Sequence, residues 1–367
     1  MAKSSGAAAG EEGDRRRGQA ARAAALQDHA APTSSAGDRL RLQAARAVEP
    51  PASAATHAGA GDRLPFELVT PHGTVRGALP LPGRPVHLSE AVVPLFGVDS
   101  AIVDQAVRHA AATGQPSRCG PGCGACCRQL VPLAVPEAFA LTATLRDLPP
   151  AQRHLLRHRF AHLGATLARH PDLRHRLFAI DADPAATTAT ALAYFDLAIA
   201  CPFLERDGDP PARAATGGQP LPRSLAGGGA PPPGSNDPRW DDPRRPVLLA
   251  EGSCSIHPAR PSICREFHVA SDPAWCATPA AAKAVAIPTP LRLSELLAHA
   301  HAYLYRLDRP LLIPLALAPS WTADHPELDH LAWPAAPLLR DLLGAMARAM
   351  AEGGPRAATA FNPDGAP

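Results

Sequence analysis

Lysine is nearly missing from this chain. Of its 36 basic residues, only Lys3 and Lys283 are not arginine. With the excess of alanine and proline, this is the composition of a protein coded in a GC-rich bacterial genome. A bulk charge is missing too. The formal net charge is +2, so no strong field draws the chain to nucleic acid or to an anionic membrane. Long apolar runs are absent. A stretch such as "LLIPLALA" holds about eight residues and is broken by Pro314, against the roughly 20 that a spanning helix needs. The opening "MAKSSGAAAGEEGDRRRGQ" carries no apolar core of a secretory leader. These absences point to a soluble, cytoplasmic protein. No P-loop, nucleophile elbow or G-x-G-x-x-G motif is present. "AGGGAPPPG" has no strand before it, so no methyltransferase-like cofactor turn is evident.

Cysteine is also scarce, 8 in 367 residues. Yet Cys119, Cys123, Cys126 and Cys127 crowd into the single stretch "CGPGCGACCR". In a reducing cytosol such clusters are metal ligands or redox groups more often than disulfides. The competing readings are core packing, a secreted disulfide framework and a cysteine redox relay. Metal binding accounts best for four sulfurs so close in sequence. Cys254, Cys264 and Cys276 also lie near Gly/Pro-punctuated turns, and Cys201 stands just before Pro202. Glycines at 120, 122 and 124 free the backbone to wrap round an ion. The Cys123–Cys126 spacing, C-x2-C, serves both zinc and iron–sulfur ligation. The side chains of the vicinal Cys126 and Cys127 diverge in most backbone conformations. One of them therefore faces a second metal or is a spare thiol. Arg128 and Arg265 each follow a cysteine, where a guanidinium either favours thiolate or pairs with a surface acid. His257 and His268 are neighbours of Cys254 and Cys264. His154, His158 and His162 lie opposite the Leu156/Phe160/Leu163/Leu167 face, which makes them a solvated stripe rather than a metal ladder.

The fold class expected is mainly α with a small N-terminal β-hairpin, the helices surrounding a cysteine-rich metal-binding loop region. Residues 1–61 read as a disordered Ala/Arg/Gly-rich tail. Residues 62–353 form one domain, and 354–367 are a second disordered tail. Proline (43) and glycine (28) make up about a fifth of the chain, which marks a sizeable unpacked fraction. Much of it lies in 207–245, a flexible insertion that closes a loop at modest entropic cost. The hairpin falls in 66–81. A helix follows from Asp99 or Ser100 to Gly114. Others cover 131–148, with Pro136 at the first helical position and Glu137 in the first turn, then 149–170, 186–200, 291–306 and 334–351. No internal repeat is visible.

The segments "CGPGCGACCRQLVPL", "CPFLE", "GSCSIHPARPSICREF" and the later "WC" resemble, in that order, the YkgJ-type cysteine-cluster family. Its signature is CxxCxxCC, a zinc- or iron-chelating domain. The resemblance implies that Cys119, Cys123, Cys126, Cys127, Cys201, Cys254 and Cys264 occupy the family's cysteine positions. Cys276 matches a position common in part of the family, and Arg260, Pro261 and Arg265 its RPxxCR element. The chain departs from the pattern in a three-residue first gap, in His257 where many relatives carry Tyr, and in the long insertion. The same domain resembles the metal-binding part of flagellin lysine methylases.

The ligand set expected is therefore Cys119, Cys123, Cys126, Cys127, Cys201, Cys254, Cys264 and Cys276, holding an iron–sulfur cluster, [4Fe–4S] by preference, or zinc. Catalytic residues are not identifiable. The function expected is metal binding with an electron-transfer or metal-handling role. A cluster-dependent enzyme related to protein lysine methylation and an interaction module with structural zinc are the alternatives. The partner expected is the metal ion or cluster itself, with no nucleic acid and no membrane.

Overall fold

Alternation of apolar and polar residues builds the first element. In the computed structural model, β1 (Arg63–Thr70) and β2 (Gly73–Pro80) pair antiparallel, in register from Arg63↔Pro80 to Thr70↔Gly73. Leu64, Leu68, Val75 and Leu79 face the core, as the period of two requires. Phe66 lies across from Gly77. A Cβ at Gly77 would come within 2.8 Å of the Phe66 ring, so any larger residue there has to displace that ring. The structure describes residues 62–120, 123–179, 184–205, 254–277 and 284–351. All belong to one unit, Glu49–Pro367. The tails expected at 1–61 and 354–367 and the insertion 207–245 lie outside the described residues.

The described part is mainly helical, with this hairpin near its start. Helix α1 runs Leu88–Ala112. It starts well before the Asp99/Ser100 cap expected from sequence, because its opening is set elsewhere. Glu90 Oε2 accepts the His87 N–H at 2.9 Å, a first-turn acid satisfying a free backbone donor. Pro94 sits inside the helix and removes one backbone bond. Burial of Val92, Leu95, Val98 and Ile102, each 0 % exposed, carries the helix through it. Gly114 ends the segment at φ +86, as expected.

Helices α2 (Val135–Asp147), α3 (Pro150–Ala168), α4 (Pro171–Arg176) and α5 (Pro184–Phe195) follow. The expected 149–170 helix stops at Ala168, and Pro171 opens a separate short one. The expected 186–200 helix stops at Phe195. The chain turns there, with Ala198 at φ +51, and Cys201 emerges in a loop. Leu156, Phe160, Leu163 and Leu167 form the buried stripe of α3, each worth roughly 1.5–3 kcal/mol of transfer free energy. His154, His158 and His162 are exposed on its other side. Then come the one-turn α6 (Ser262–Glu266), α7 (Leu293–Tyr305), α8 (Ala318–Asp324) and α9 (Ala335–Ala351).

Two pairs of three-residue strands tie distant segments together. β3 (Pro85–His87) pairs with β6 (Ala332–Pro334), and β4 (Pro132–Ala134) with β5 (Leu312–Pro314), both antiparallel. β3, β4 and β6 each run directly into a helix, respectively α1, α2 and α9. The hairpin, α1, α7 and α9 share one apolar core. α2 and α3 share a second with Phe203, Ile256 and Ile313. No helix among the described residues is long and apolar enough to cross a membrane.

Candidate metal centre

The described residues between Gly114 and Val131 form neither helix nor strand. The loop is instead a chain of turns. Gly120 O accepts from Cys123 N, Gly124 O from Cys127 N and Cys126 O from Gln129 N, each at 3.0 Å. Other segments come in against it. Cys127 O accepts the Cys201 N–H at 2.6 Å, and Arg118 N donates to Val269 O at 2.8 Å. Gln129 Nε2 donates to Cys276 O at 3.2 Å. Leu204 and Cys254 form an antiparallel bridge, beside which Ser255 N donates to Phe203 O at 2.8 Å. Arg159, on α3, donates to the carbonyls of Pro202 and Leu204 at 3.1 and 3.0 Å. These contacts bring the backbone at Cys201 and Cys276 against the loop.

All eight are free thiols; Cys276 is buried and the other seven are half-buried. Cys119, Cys123 and Cys126 pack with Cys276 around Val269 and Ala125. Cys201 and Cys254 pack instead against the α2–α3 core. Val269 N–H points at Cys119 Sγ, 3.4 Å away. The Cys127 thiol donates to Cys126, which brings Cys126 down to about 7 with help from Arg260 and pushes Cys127 far up. Burial raises Cys119 to about 11 and both Cys201 and Cys276 to about 12. Cys254 and Cys264 are raised for the same reason. The charge of Cys126 reaches Cys201, Cys254, Cys264 and Cys276. Desolvated thiols that repel one another hold their protons until a cation replaces them.

The cation nearest in effect is Arg260, which lowers Cys126, Cys254 and Cys264. Arg265, which acts on Cys264 and on the buried acid Asp99, also grips the backbone. Its Nε donates to Arg260 O at 2.7 Å, its Nη2 to Pro258 O at 2.5 Å and its Nη1 to Ser100 Oγ at 3.0 Å. Its guanidinium carbon lies 4.8 Å from the Phe96 ring centroid. The side chain is buried and braces the loop between Cys254 and Cys264. Arg128 reaches Ala198 O at 3.4 Å. His268 Nδ1 meets Ser117 Oγ at 3.2 Å, and burial lowers its pKa to about 4, so its ring is neutral. His257 lies at an exposed edge.

Sequence reasoning missed the acids behind this loop. Glu137, 1 % exposed, accepts from Ala134 N at 3.0 Å, Ser262 N at 2.9 Å, Ser262 Oγ at 2.7 Å and Ser294 Oγ at 2.7 Å. It therefore joins α2, α7 and the Cys264 helix through one carboxylate. Glu266 accepts the Leu293 N–H at 2.7 Å, opening α7. Asp99, 0 % exposed, has no hydrogen-bond partner on either oxygen. Burial raises its pKa to about 8 against the pull of Arg265. The only signal available was the first-turn position of Glu137.

Among the described residues, no group of three His, Cys, Asp or Glu side chains stands arranged to hold a metal ion. The donor set still fits one. It is all sulfur and half-buried or buried, which suits zinc or iron–sulfur better than a hard cation. A groove of about 370 Å³ is lined by residues of α2, α3 and α8, including Arg146, Arg153 and Arg157, and no cysteine is among them. No family model, no curated protein and no solved structure matches this chain.

Proposed function

We propose that this chain is a metal-binding protein that holds an iron–sulfur cluster or zinc through its clustered cysteines and serves in electron transfer or metal handling. The resemblance to the YkgJ-type family belongs to the same proposal. The observation that supports it is eight free thiols, four of them in one turn-rich loop that also holds the backbone at Cys201 and Cys276, with Cys126 acting on Cys254 and Cys264. The metal supplies positive charge that replaces the thiol protons and, as an iron–sulfur cluster, a one-electron couple. The protein's own part is to pre-assemble the loops. Arg159 and Arg265 fix backbone carbonyls, Glu137 fixes the Cys264 helix, and Arg260 offsets negative charge at the sulfurs. Because binding displaces protons, metal affinity rises with pH.

The test is anaerobic purification with elemental analysis and Mössbauer or paramagnetic resonance spectroscopy. The joint substitution Cys126→Ser and Cys127→Ser is expected to bleach a visible absorbance band. A colourless protein with stoichiometric zinc decides for zinc, and a chain that binds neither metal refutes the proposal. A reversible potential assigns the electron-transfer role.

A further inference from the structure

We propose that the groove between α2, α3 and α8 is a binding site for a medium-chain carboxylate. The anionic head sits among Arg146, Arg153 and Arg157, and the hydrocarbon tail lies along the floor. No cysteine lines this groove, so the inference goes beyond the metal centre and does not depend on it.

Charge is the first observation behind it. Arg153 and Arg157 stand four residues apart on α3, on one face of the helix, and Arg146 comes from the last turn of α2. Arg153 Nη1 donates to Arg146 O at 2.8 Å, which fixes it at the corner between the two helices. No Asp or Glu lines the groove. Among the described residues, none forms an ion pair with these three guanidiniums. α3 itself carries no acid.

The floor is the second. Leu145, Phe160 and Pro319 line it together with the buried Ala316. Arg146 and Arg157 are exposed at the rim. The volume of about 370 Å³ lies within the roughly 300–1,000 Å³ of small-molecule clefts. Carbon below and cationic forks above complement an amphiphile. A free inorganic anion would leave the floor wet, and a neutral hydrocarbon would leave the arginines without a partner. A carboxylate takes two parallel N–H bonds from one guanidinium, while the tail sheds water as it covers the floor.

Gly164 is the third. It lies inside α3, where glycine weakens a helix relative to alanine. A Cβ there would meet nothing within 4 Å, so packing does not demand glycine. The missing side chain keeps the groove open. The like-charged Arg153–Arg157 pair also works against the helix. Both departures from good helix sequence fall on the groove wall, where a binding site accounts for them and the fold does not.

The test is isothermal titration calorimetry of the full chain with decanoate. Decanol supplies the tail without the charge, and acetate the charge without the tail. Decanoate is expected to bind saturably, one per chain, and more tightly than either control by tenfold or more. The joint substitution Arg153→Gln and Arg157→Gln is expected to weaken it at least tenfold. Gly164→Leu fills the groove and is expected to remove saturable binding. Arg174→Gln, on α4 outside the groove, is expected to bind as the wild type does. A wild-type chain that takes up no decanoate, or that takes decanol or acetate as tightly, overturns the proposal. So does a Gly164→Leu chain or an arginine double variant that binds decanoate like the wild type. Should Gly164→Leu lose its helical circular dichroism, the arginine variant and the two controls decide.

Discussion

On the hairpin side, β1, β2, α1, α7 and α9 close over Leu88, Leu95, Val98 and Met346, all 0 % exposed. On the cysteine side, the chain between Gly114 and Val131 has no regular structure among the described residues. There, buried and half-buried side chains hold backbone atoms of other segments: Glu137 on Ser262, Arg265 on Pro258, Arg159 on Pro202. The first region is stabilised by non-directional burial, which tolerates change of shape. The second depends on directional bonds, which fail completely when one partner is removed.

The sharpest way to break this contrast is Glu137→Ala. It strands the buried N–H groups of Ala134 and Ser262 and leaves the Ser262 and Ser294 hydroxyls only each other as partners, at a cost of about 3 kcal/mol or more. Leu95→Ala, on the hairpin side, is expected to cost about 3 kcal/mol by cavity formation. Denaturant unfolding should therefore place the two variants close together. Metal content should separate them, falling for Glu137→Ala, which frees the Cys264 helix, and holding for Leu95→Ala.

Asp99 gives a smaller, pH-dependent test. Its folded-state pKa is raised from 3.8 to about 8. Between those values the folded chain keeps a proton that the unfolded chain has lost, so stability falls as pH rises across that window. Glu137, Arg260, Arg265 and Arg292 are the charged groups that act on it. Asp99→Asn removes its own share of the slope, while Glu266, raised by burial and by Asp99, keeps a share of the same sign. The variant's melting temperature should match the wild type near the bottom of the window and exceed it increasingly toward the top.

The smallest effect sharpens the contrast by its absence. His158 stands exposed, its ring 4.6 Å from that of His154. His158→Ala should change stability by less than about 0.5 kcal/mol and leave the metal count unchanged. A loss of metal would return the α3 histidines to the ligand set.

What could be read in the sequence follows from range. The hairpin, the Leu156–Leu167 stripe of α3 and the Gly114 stop are local patterns, and each reappears in place. The first turns of α1 were hidden because Pro94 and Gly97 interrupt the pattern and the strand before them, Pro85–His87, finds its partner only at Ala332–Pro334. The crowding of Cys119–Cys127 was visible. The brace at Glu137 was not, because its partners lie 125 and 157 residues away. Nothing in "RPSICR" tells its second arginine to hold carbonyls while the first faces the sulfurs.

The antiparallel bridge between Leu204 and Cys254 makes the chain leave and return at one point. Whatever is carried between them adds to the ordering cost only logarithmically with its length. That junction is therefore a natural graft point. Exchanging 206–253 for a short glycine-rich link, or for a reporter domain with neighbouring termini, leaves the residues on either side in their present register.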